Sequence, residues 1–236
     1  MDALGYDETV KNRLRKNIPP IPYSLDDLRK SQEIKEKTGV EEMLVLFVTD
    51  KDGKPLTMET MKERFDERYE ALGLGKFLFH DSWSWFKTES FYKEHGLTFS
   101  WKLIGKQNFP NSMYKKHHDE PGDNFTHEET QAYAIEQFAD SVGIPQEALH
   151  RPTPAELLFA IAVHLCTTKQ KTGIGQRIFE REYHWSDVKT SGGHLVLVGD
   201  ANSDGAYVNG RPRGHWVVWL GAALSRDPSF SESLET

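Results

Sequence analysis

The chain has 236 residues, a formal net charge of −7 and a sequence pI near 5.8. This charge excludes a general nucleic-acid-binding surface, because displacing counterions from phosphates requires a basic face, and it favours proteins or other neutral or cationic partners. The single cysteine, Cys166, excludes an intrachain disulfide and indicates a reducing compartment. There is neither the apolar core of a signal peptide nor an apolar run of about 20 residues. We therefore expect a soluble protein without a membrane span, cytoplasmic by default.

Hydrophobic periodicity and capping residues predict one α+β domain over residues 23–236, preceded by a tail or packing arm over residues 1–22. Prolines at positions 19, 20 and 22 stop any helix that begins in this arm. Helices are predicted over residues 24–39, 57–72, 88–95, 126–143 and from 153 to the glycine at 173. Strands are predicted over residues 42–49, 98–104 and 178–185, ahead of a glycine-rich segment at 191–226.

Two of these helices carry strong signals at their N-termini. Ser24 precedes two aspartates and begins a helix whose apolar positions fall on one face, namely Leu25, Leu28 and Ile34. Thr153 precedes Pro154 at the first helical position and a broad apolar face. We predict that this second helix is the most buried in the protein and that Cys166, which lies in it, is a small core residue.

Aromatic residues crowd the segment 77–86, which contains Phe77, Phe79, Trp83, Trp85 and Phe86. Such density is typical of a core or of a domain seam. An aromatic cage for a ligand is the alternative interpretation.

A long surface loop is predicted over residues 105–125, and it is followed by the start of a helix. His117, His118 and His127, together with nearby carboxylates, are residue types that bind zinc or iron. Their spacing lacks a His-x-x-x-His pair, so a solvated loop is the alternative. The sequence also lacks a phosphate-binding loop, a dinucleotide fingerprint and a nucleophile elbow. We therefore predict no catalytic residue, no bound metal and no cofactor.

The segment 191–226 combines two apolar runs with a polar insert. Residues 195–198 and 217–224 are apolar and predict two strands buried in a sheet core. Residues 200–216 are rich in the glycine, polar and aromatic types that form turns and recognition surfaces, which predicts a polar loop supported by the strand pair. The predicted ligand-contact set is Asp200, Asn202, Ser203, Tyr207, Asn209, Arg211, Arg213, His215 and Trp216.

The composition of this region is also unusual. Between Lys189 and Glu232 the sequence contains no Lys, Glu, Gln or Met, although these types are common elsewhere. One explanation is that glycine-rich strands and turns disfavour long flexible side chains. The other explanation for this absence depends on a family resemblance.

Two motifs carry that resemblance. Residues 151–157 read Arg-Pro-Thr-Pro-Ala-Glu-Leu, and residues 220–226 read Leu-Gly-Ala-Ala-Leu-Ser-Arg. With the glycine-rich strand and turn-rich insert between them, they resemble the formylglycine-generating-enzyme-like branch of the C-type lectin fold. Its motifs typically read Arg-Leu-Pro-Thr-Glu-Ala-Glu-Trp and Gly-Phe-Arg-Val-Ala-Arg. Within that branch the chain is most similar to the variable proteins of diversity-generating retroelements.

The resemblance implies a mixed antiparallel sheet flanked by helices with long irregular loops. The enzymes of the branch use a cysteine pair or a His-x-x-x-His-x-Glu pattern, and this sequence has neither, so the resemblance favours a binding protein over an enzyme. In variable proteins, the resemblance implies that adenines in the C-terminal coding segment are randomised, usually at Asn-type codons, and such codons cannot become Lys, Glu, Gln or Met. Calcium is not implied, because the branch does not generally depend on it and the carboxylates of Asp200 and Asp204 are too few for a calcium shell.

These observations predict a ligand-binding protein with a diversified surface at residues 191–226, whose partner is a protein or another macromolecule. A metal-dependent oxidase or hydrolase that uses His117, His118 and His127 is the alternative. A structural subunit of a phage or surface assembly is a further possibility. Ligand identity and oligomeric state do not follow from the sequence.

Overall fold

The computed structural model describes residues 5–79, 84–107, 128–211 and 220–228. The helices in these ranges are α1 (Glu8–Lys16), α2 (Leu25–Thr38), α3 (Met58–Leu72), α4 (Ser90–Lys93), α5 (Glu128–Val142) and α6 (Pro154–Thr172). The strands are β1 (Glu42–Phe47), β2 (Ser100–Gly105), β3 (Leu149–His150), β4 (Tyr183–Lys189), β5 (Leu195–Asn202), β6 (Gly205–Arg211), β7 (Leu220–Gly221) and β8 (Ser225–Arg226). Short 3-10 turns at Trp85–Thr88 and Gln146–Ala148 precede α4 and β3.

The strands form two four-stranded sheets. In the first sheet the order is β1-β2-β8-β3, and every neighbouring pair is antiparallel. In the second the order is β6-β5-β4-β7, where β7 runs parallel to β4 and the other pairs are antiparallel. The chain is therefore α+β, as the sequence predicts. Across the described residues, none of the helices combines the length and apolarity needed to cross a membrane.

The helix starts predicted at residues 24, 57 and 153 are confirmed, and the reason is side-chain capping; the helix predicted from 88 begins at Ser90, and the start predicted at 126 lies outside the described residues. Ser24 and Thr153 each accept a hydrogen bond from the backbone N–H three residues on, and the side chain at that position bonds back to the cap. Thr57 caps α3 in the same way. Gly39, Gly73 and Gly173 follow α2, α3 and α6 in the left-handed conformation that closes a helix without steric cost.

Helix α6 forms the centre of the main core. Eleven of its 19 residues are buried, more than in any other described helix, and Cys166 is one of them. Phe159 packs edge-on against Phe47 of β1 and Phe65 of α3, with ring centroids 5.5 and 6.1 Å apart. Burial raises the pKa of the Cys166 thiol to about 11, so this cysteine is an inert core residue, as predicted.

The N-terminal residues 5–22 pack on the domain through α1. Asp7 caps this helix, and Tyr6 and Leu14 are buried in the main core. The hydroxyl of Tyr6 donates to the carbonyl of Thr49 at 3.0 Å. The helix ends at Lys16, ahead of the prolines.

The buried face predicted for α2 is wrong in part. Ile34 is fully buried, whereas Leu25 is 73% exposed and Leu28 is 37% exposed. The other buried residue of this helix is Asp27, a carboxylate. Its burial follows from a buried cation at the opposite end of the chain.

That cation is Arg226 in β8, which is 1% exposed. Its Nη2 donates to Glu42 Oε2 at 2.8 Å, to Ser31 Oγ at 2.9 Å and to the carbonyl of Asp27 at 3.0 Å. The carbonyl of Arg226 accepts from the hydroxyl of Tyr23 at 2.6 Å. The last residue of the Leu-Gly-Ala-Ala-Leu-Ser-Arg motif thus connects α2, β1 and Tyr23, which precedes α2.

Two predicted strands differ from those observed. The strand predicted at 178–185 begins at Tyr183, because Phe179 and Arg181 adopt positive φ angles of 60° and 63°, far from the extended conformation of regular strand pairing. The strand predicted at 217–224 does not pair with residues 195–198. Its described part forms β7 beside β4, and the chain then passes through buried Ala222, Ala223 and Leu224 into the other sheet.

The aromatic segment 77–86 belongs mainly to the core. Phe77 and Phe86 are buried, Phe79 is half-buried and Trp85 is 37% exposed. Trp83 lies outside the described residues. The core interpretation therefore holds for Phe77 and Phe86, and Trp85 is the exception.

Candidate functional site

The segment predicted to be a polar loop is in large part a β-hairpin. Strands β5 and β6 pair so that Val198 faces Val208 and Leu197 faces Asn209. Residues opposite one another in an antiparallel pair share a face of the sheet. The face that packs on the main core carries Val196, Val198, Ala206 and Val208. We call the opposite side, which carries Leu195, Leu197, Tyr207 and Asn209, the outer face of the hairpin.

The turn of the hairpin holds Asn202 and Ser203. The side chain of Asn202 accepts from the backbone N–H of Asp204 at 2.8 Å, which shapes the turn, and Ser203 is exposed. The carbonyl of Ser203 accepts from the N–H of Lys76 at 3.0 Å. Gly75 has a φ of 86°, and a Cβ there would lie 2.2 Å from that carbonyl oxygen. The turn therefore lies directly against the chain that follows α3.

Tyr207 and Asn209 are half-buried on the outer face. The Tyr207 ring stacks on Phe79, with centroids 4.1 Å apart and planes 14° from parallel. Stacking fixes the ring and leaves one of its sides covered. Along a strand, Asn209 lies about 7 Å from Tyr207. The two residues therefore belong to one surface, at a distance that one ligand spans.

The outer face is not open along its whole length. Trp185, Leu195 and Leu197 on this face are 1–2% exposed and form their own apolar cluster with Tyr183. Asp200 and Asn202 are also half-buried. Arg213, His215 and Trp216 lie outside the described residues, and so does the side chain of Arg211. The structure therefore brings together Tyr207 and Asn209 on β6, and it places Asn202 and Ser203 at the turn of the same hairpin.

Asp200 is held by an irregular turn that the sequence did not indicate. Its φ is 44°, and its N–H donates to the carbonyl of Glu182 at 2.7 Å. Phe179 accepts from the N–H of Ala201 at 3.1 Å. Asp200, Phe179 and Arg181 are the non-glycine residues with positive φ in the described part of the chain, and all three lie in this region. Backbone strain of this kind persists only where surrounding contacts enforce it.

Beneath this turn lies His184, which is fully buried. Its ring centroid is 3.7 Å from that of Phe179, and its Nε2 is 3.9 Å from Glu182 Oε2, beyond hydrogen-bonding distance. Neither ring nitrogen has a hydrogen-bond partner in the described structure. Burial lowers the pKa of His184 to about 3, so the imidazole is neutral at physiological pH.

A groove of about 560 Å³ runs along the strained turn. Its walls carry both charge signs, from Lys106 and Arg177 and from Glu41, Glu180 and Glu182. Lys106 already pairs with Glu41 at 2.6 Å, and Arg177 donates to the carbonyl of Leu74 at 2.7 Å. These charges are therefore largely occupied in holding the fold together.

The predicted metal ligands His117, His118 and His127 lie outside the described residues. Within residues 5–79, 84–107, 128–211 and 220–228, no three His, Cys, Asp or Glu side chains come together as a metal site would require. Burial also lowers the pKa of His164, which lines the charged groove.

The residue-level prediction missed Trp85, Glu89 and His194, which lie near Asn209 at the end of the hairpin. The aromatic density around Trp85 was a signal, but nothing in the sequence places this segment beside β6.

The chain was compared with protein families, with curated proteins and with solved structures, and none of the three comparisons found a match.

Proposed function

We propose that the protein is a ligand-binding protein whose C-terminal hairpin carries a diversified surface on a C-type lectin-like scaffold of the formylglycine-generating-enzyme-like branch. Its ligand is a protein or another macromolecule. The observation that carries the proposal is the alternation along β6. Ala206 and Val208 are anchored in the main core, while Tyr207 and Asn209, which alternate with them along the strand, lie on the opposite face.

This alternation suits a surface that tolerates replacement. Substitutions at Tyr207 and Asn209 leave the core contacts of Ala206 and Val208 in place, so their identity can change without loss of the fold. The Tyr, Asn and Ser of this surface are types that randomised adenine codons encode. The absence of Lys, Glu, Gln and Met between residues 189 and 232 is consistent with the same origin.

The scaffold assignment draws support from its two motifs. The Arg-Pro-Thr-Pro-Ala-Glu-Leu motif begins the central helix α6, with Thr153 and Glu156 forming its capping box. The Leu-Gly-Ala-Ala-Leu-Ser-Arg motif contributes a strand to each sheet and ends at the buried Arg226. Both motifs therefore occupy positions on which the whole fold depends.

Sequencing the gene's 3′ end in many cells of one population tests the proposal. We expect nucleotide differences at adenine positions in the codons of Asn202, Ser203, Tyr207 and Asn209. The matched control is the core face of the same strands, where Val196, Val198, Ala206 and Val208 should remain constant. A neighbouring reverse transcriptase gene and an adenine-substituted repeat of this gene's end should accompany the variation. Equal variation on both faces, or no variation at all, would contradict the proposal.

A further inference from the structure

A second groove, of about 400 Å³, opens at the end of the hairpin remote from its turn. We call it the Trp85 groove, and its walls come from three parts of the chain. Trp85 and Glu89 precede α4, Thr190 and His194 belong to the β4–β5 turn, and Asn209 and Gly210 belong to β6. Sites for small molecules in proteins commonly have volumes of about 300–1,000 Å³.

The indole of Trp85 is fixed in place yet accessible. It is 37% exposed, although Phe86 and Phe91 pack edge-on against it at centroid distances of 6.0 and 6.1 Å. Gly210 gives it room, because a Cβ there would lie 3.1 Å from Trp85 Cη2. The groove therefore contains a rigid aromatic surface whose position costs a ligand little ordering entropy.

Polar groups around this ring are available to a ligand. Among the described residues, the Asn209 amide, the His194 imidazole and the Trp85 indole N–H form no side-chain hydrogen bond. The Glu89 carboxylate instead accepts from Ser191, from its N–H at 2.7 Å and from its hydroxyl at 2.8 Å. That contact fixes the β4–β5 turn and places a carboxylate in the wall, which disfavours anionic ligands such as phosphates.

Among the described residues, Trp85 is the one aromatic side chain in the groove wall, and this restricts the ligand. A flat heterocycle is commonly held between two aromatic faces, but within the described ranges Tyr207 and Phe79 are stacked on each other and provide no second face here. One aromatic surface with hydrogen-bonding groups at its edge matches a saturated ring that has an apolar C–H face and hydroxyl groups around it.

We propose that the Trp85 groove binds a neutral pyranose ring, with the C–H face of the sugar on the indole and its hydroxyls bonded to Asn209 and His194. The groove shares Asn209 with the outer face but does not require that the segment be diversified. Its test therefore succeeds or fails independently of the sequencing experiment.

NMR titration of the ¹⁵N-labelled full chain with methyl glycosides of glucose, galactose, mannose and N-acetylglucosamine tests this site. We expect saturable shifts of the Trp85 indole resonance and of the Asn209 and Gly210 amides with at least one glycoside. A single ring of this size should bind with a millimolar dissociation constant. The indole of Trp101, which donates to the carbonyl of Pro19 at 2.9 Å, should not shift and serves as the internal control.

Three variants separate groove binding from a general effect on the fold. Trp85→Ala should weaken binding about tenfold. Asn209→Ala should remove one hydrogen bond, and Gly210→Ala should push a methyl group against the indole and narrow the groove while Trp85 is retained. Each variant's amide spectrum shows whether it is folded. Absence of shifts with all four glycosides at about 50 mM overturns the proposal. Unchanged affinity in the folded variants overturns it as well, and so does tighter binding of indole or phenol than of any glycoside.

Discussion

His184 and Arg226 are both fully buried polar side chains, but their surroundings differ. The guanidinium of Arg226 is neutralised by the carboxylates of Asp27 and Glu42 and is also bonded to the carbonyl of Asp27 and the hydroxyl of Ser31. His184 has no hydrogen-bond partner within the described structure and is held neutral by burial. An unsatisfied buried imidazole destabilises the fold, so His184 should be a weak point at acid pH.

Burial of His184 predicts how the stability of the protein depends on pH. The unfolded chain binds a proton at His184 near the normal pKa of about 6.5, whereas the folded chain does so only near a pKa of about 3. Titration of His184 therefore leaves the free energy of unfolding unchanged above pH 6.5 and lowers it progressively as the pH falls towards 3, because only the unfolded chain gains the proton in this range. The slope between these values should be about 1.4 kcal/mol per pH unit.

Urea unfolding of the wild type and of His184→Leu between pH 7 and about 4 measures this slope. We expect the variant to lose less stability than the wild type over this range, because leucine has a similar volume and does not titrate. The difference between the two proteins cancels the contribution of surface carboxylates. Parallel curves would show that His184 is not the group responsible.

At the scale of elements, the helix starts were predictable because their causes are local. Helices α2 and α6 each begin at a capping box. In each, a serine or threonine caps the helix, and the acidic side chain three residues later accepts a hydrogen bond from the backbone N–H of that cap residue. The start of β4 was not predictable, since the positive φ angles of Phe179 and Arg181 occur at residues that rarely adopt them. The sequence also did not predict that Leu25 is exposed and Asp27 is buried. Both depend on the position of Arg226, which is distant in the sequence but lies beside α2 in the fold.

The hairpin is the element on which the proposed binding surface depends, and Gly205 controls its docking. Gly205 has a φ of 115°, and a Cβ there would lie 2.3 Å from the N of Phe79 and 2.4 Å from the carbonyl carbon of Leu78. Both neighbours are backbone atoms of a segment that pairs with Ala206: the N–H of Phe79 donates to the carbonyl of Ala206 at 2.9 Å, and the N–H of Ala206 donates to the carbonyl of Phe77 at 3.0 Å. We expect Gly205→Ala to destabilise the protein by about 4 kcal/mol or more.

The matched control is Gly193→Ala. Gly193 also has a positive φ, 78°, but a Cβ there would meet no atom within 4 Å. Its replacement should cost about 1–2 kcal/mol, the strain of the left-handed conformation alone. Chemical denaturation of both variants, with hydrogen exchange at the Phe79 and Ala206 amides, makes the comparison. Similar costs for the two variants would mean that the hairpin is not held at Gly205.

The predicted contact set could be placed only in part from the sequence. The apolar character of residues 195–198 correctly indicated a buried strand, and the density of turn residues indicated the turn at Ser203. The strand partner was wrong, because pairing depends on which distant segments meet, and composition does not encode that. The same reason explains why Trp85 and His194 were not recognised as neighbours of Asn209.

At the scale of the whole molecule, residues 220–226 connect the two sheets. β7 extends the sheet that carries the hairpin, and β8 lies inside the sheet that carries the N-terminal elements. Buried Ala222, Ala223 and Leu224 join them. The stability of both sheets therefore depends on one short segment, which is secured by Arg226.

Arg226→Ala should lower the free energy of unfolding by about 3–5 kcal/mol, because it leaves Asp27 and Glu42 buried without a cation. The neighbouring His150→Ala is the matched control, since His150 forms an exposed pair with Asp227 at 2.9 Å. Its loss should cost no more than about 1 kcal/mol. Guanidinium denaturation provides both values. Comparable values for the two variants would show that the buried network contributes little.

The inner position of β8 also bears on how the protein is made. β2 and β3 are joined only through residues 225–226, which lie between them and pair with both. On the ribosome, therefore, β1 and β2 can pair early, but one side of β2 remains an open edge during translation of more than a hundred further residues. Emergence of residues 225–226, rather than emergence of the first half of the chain, should be the event that completes this sheet.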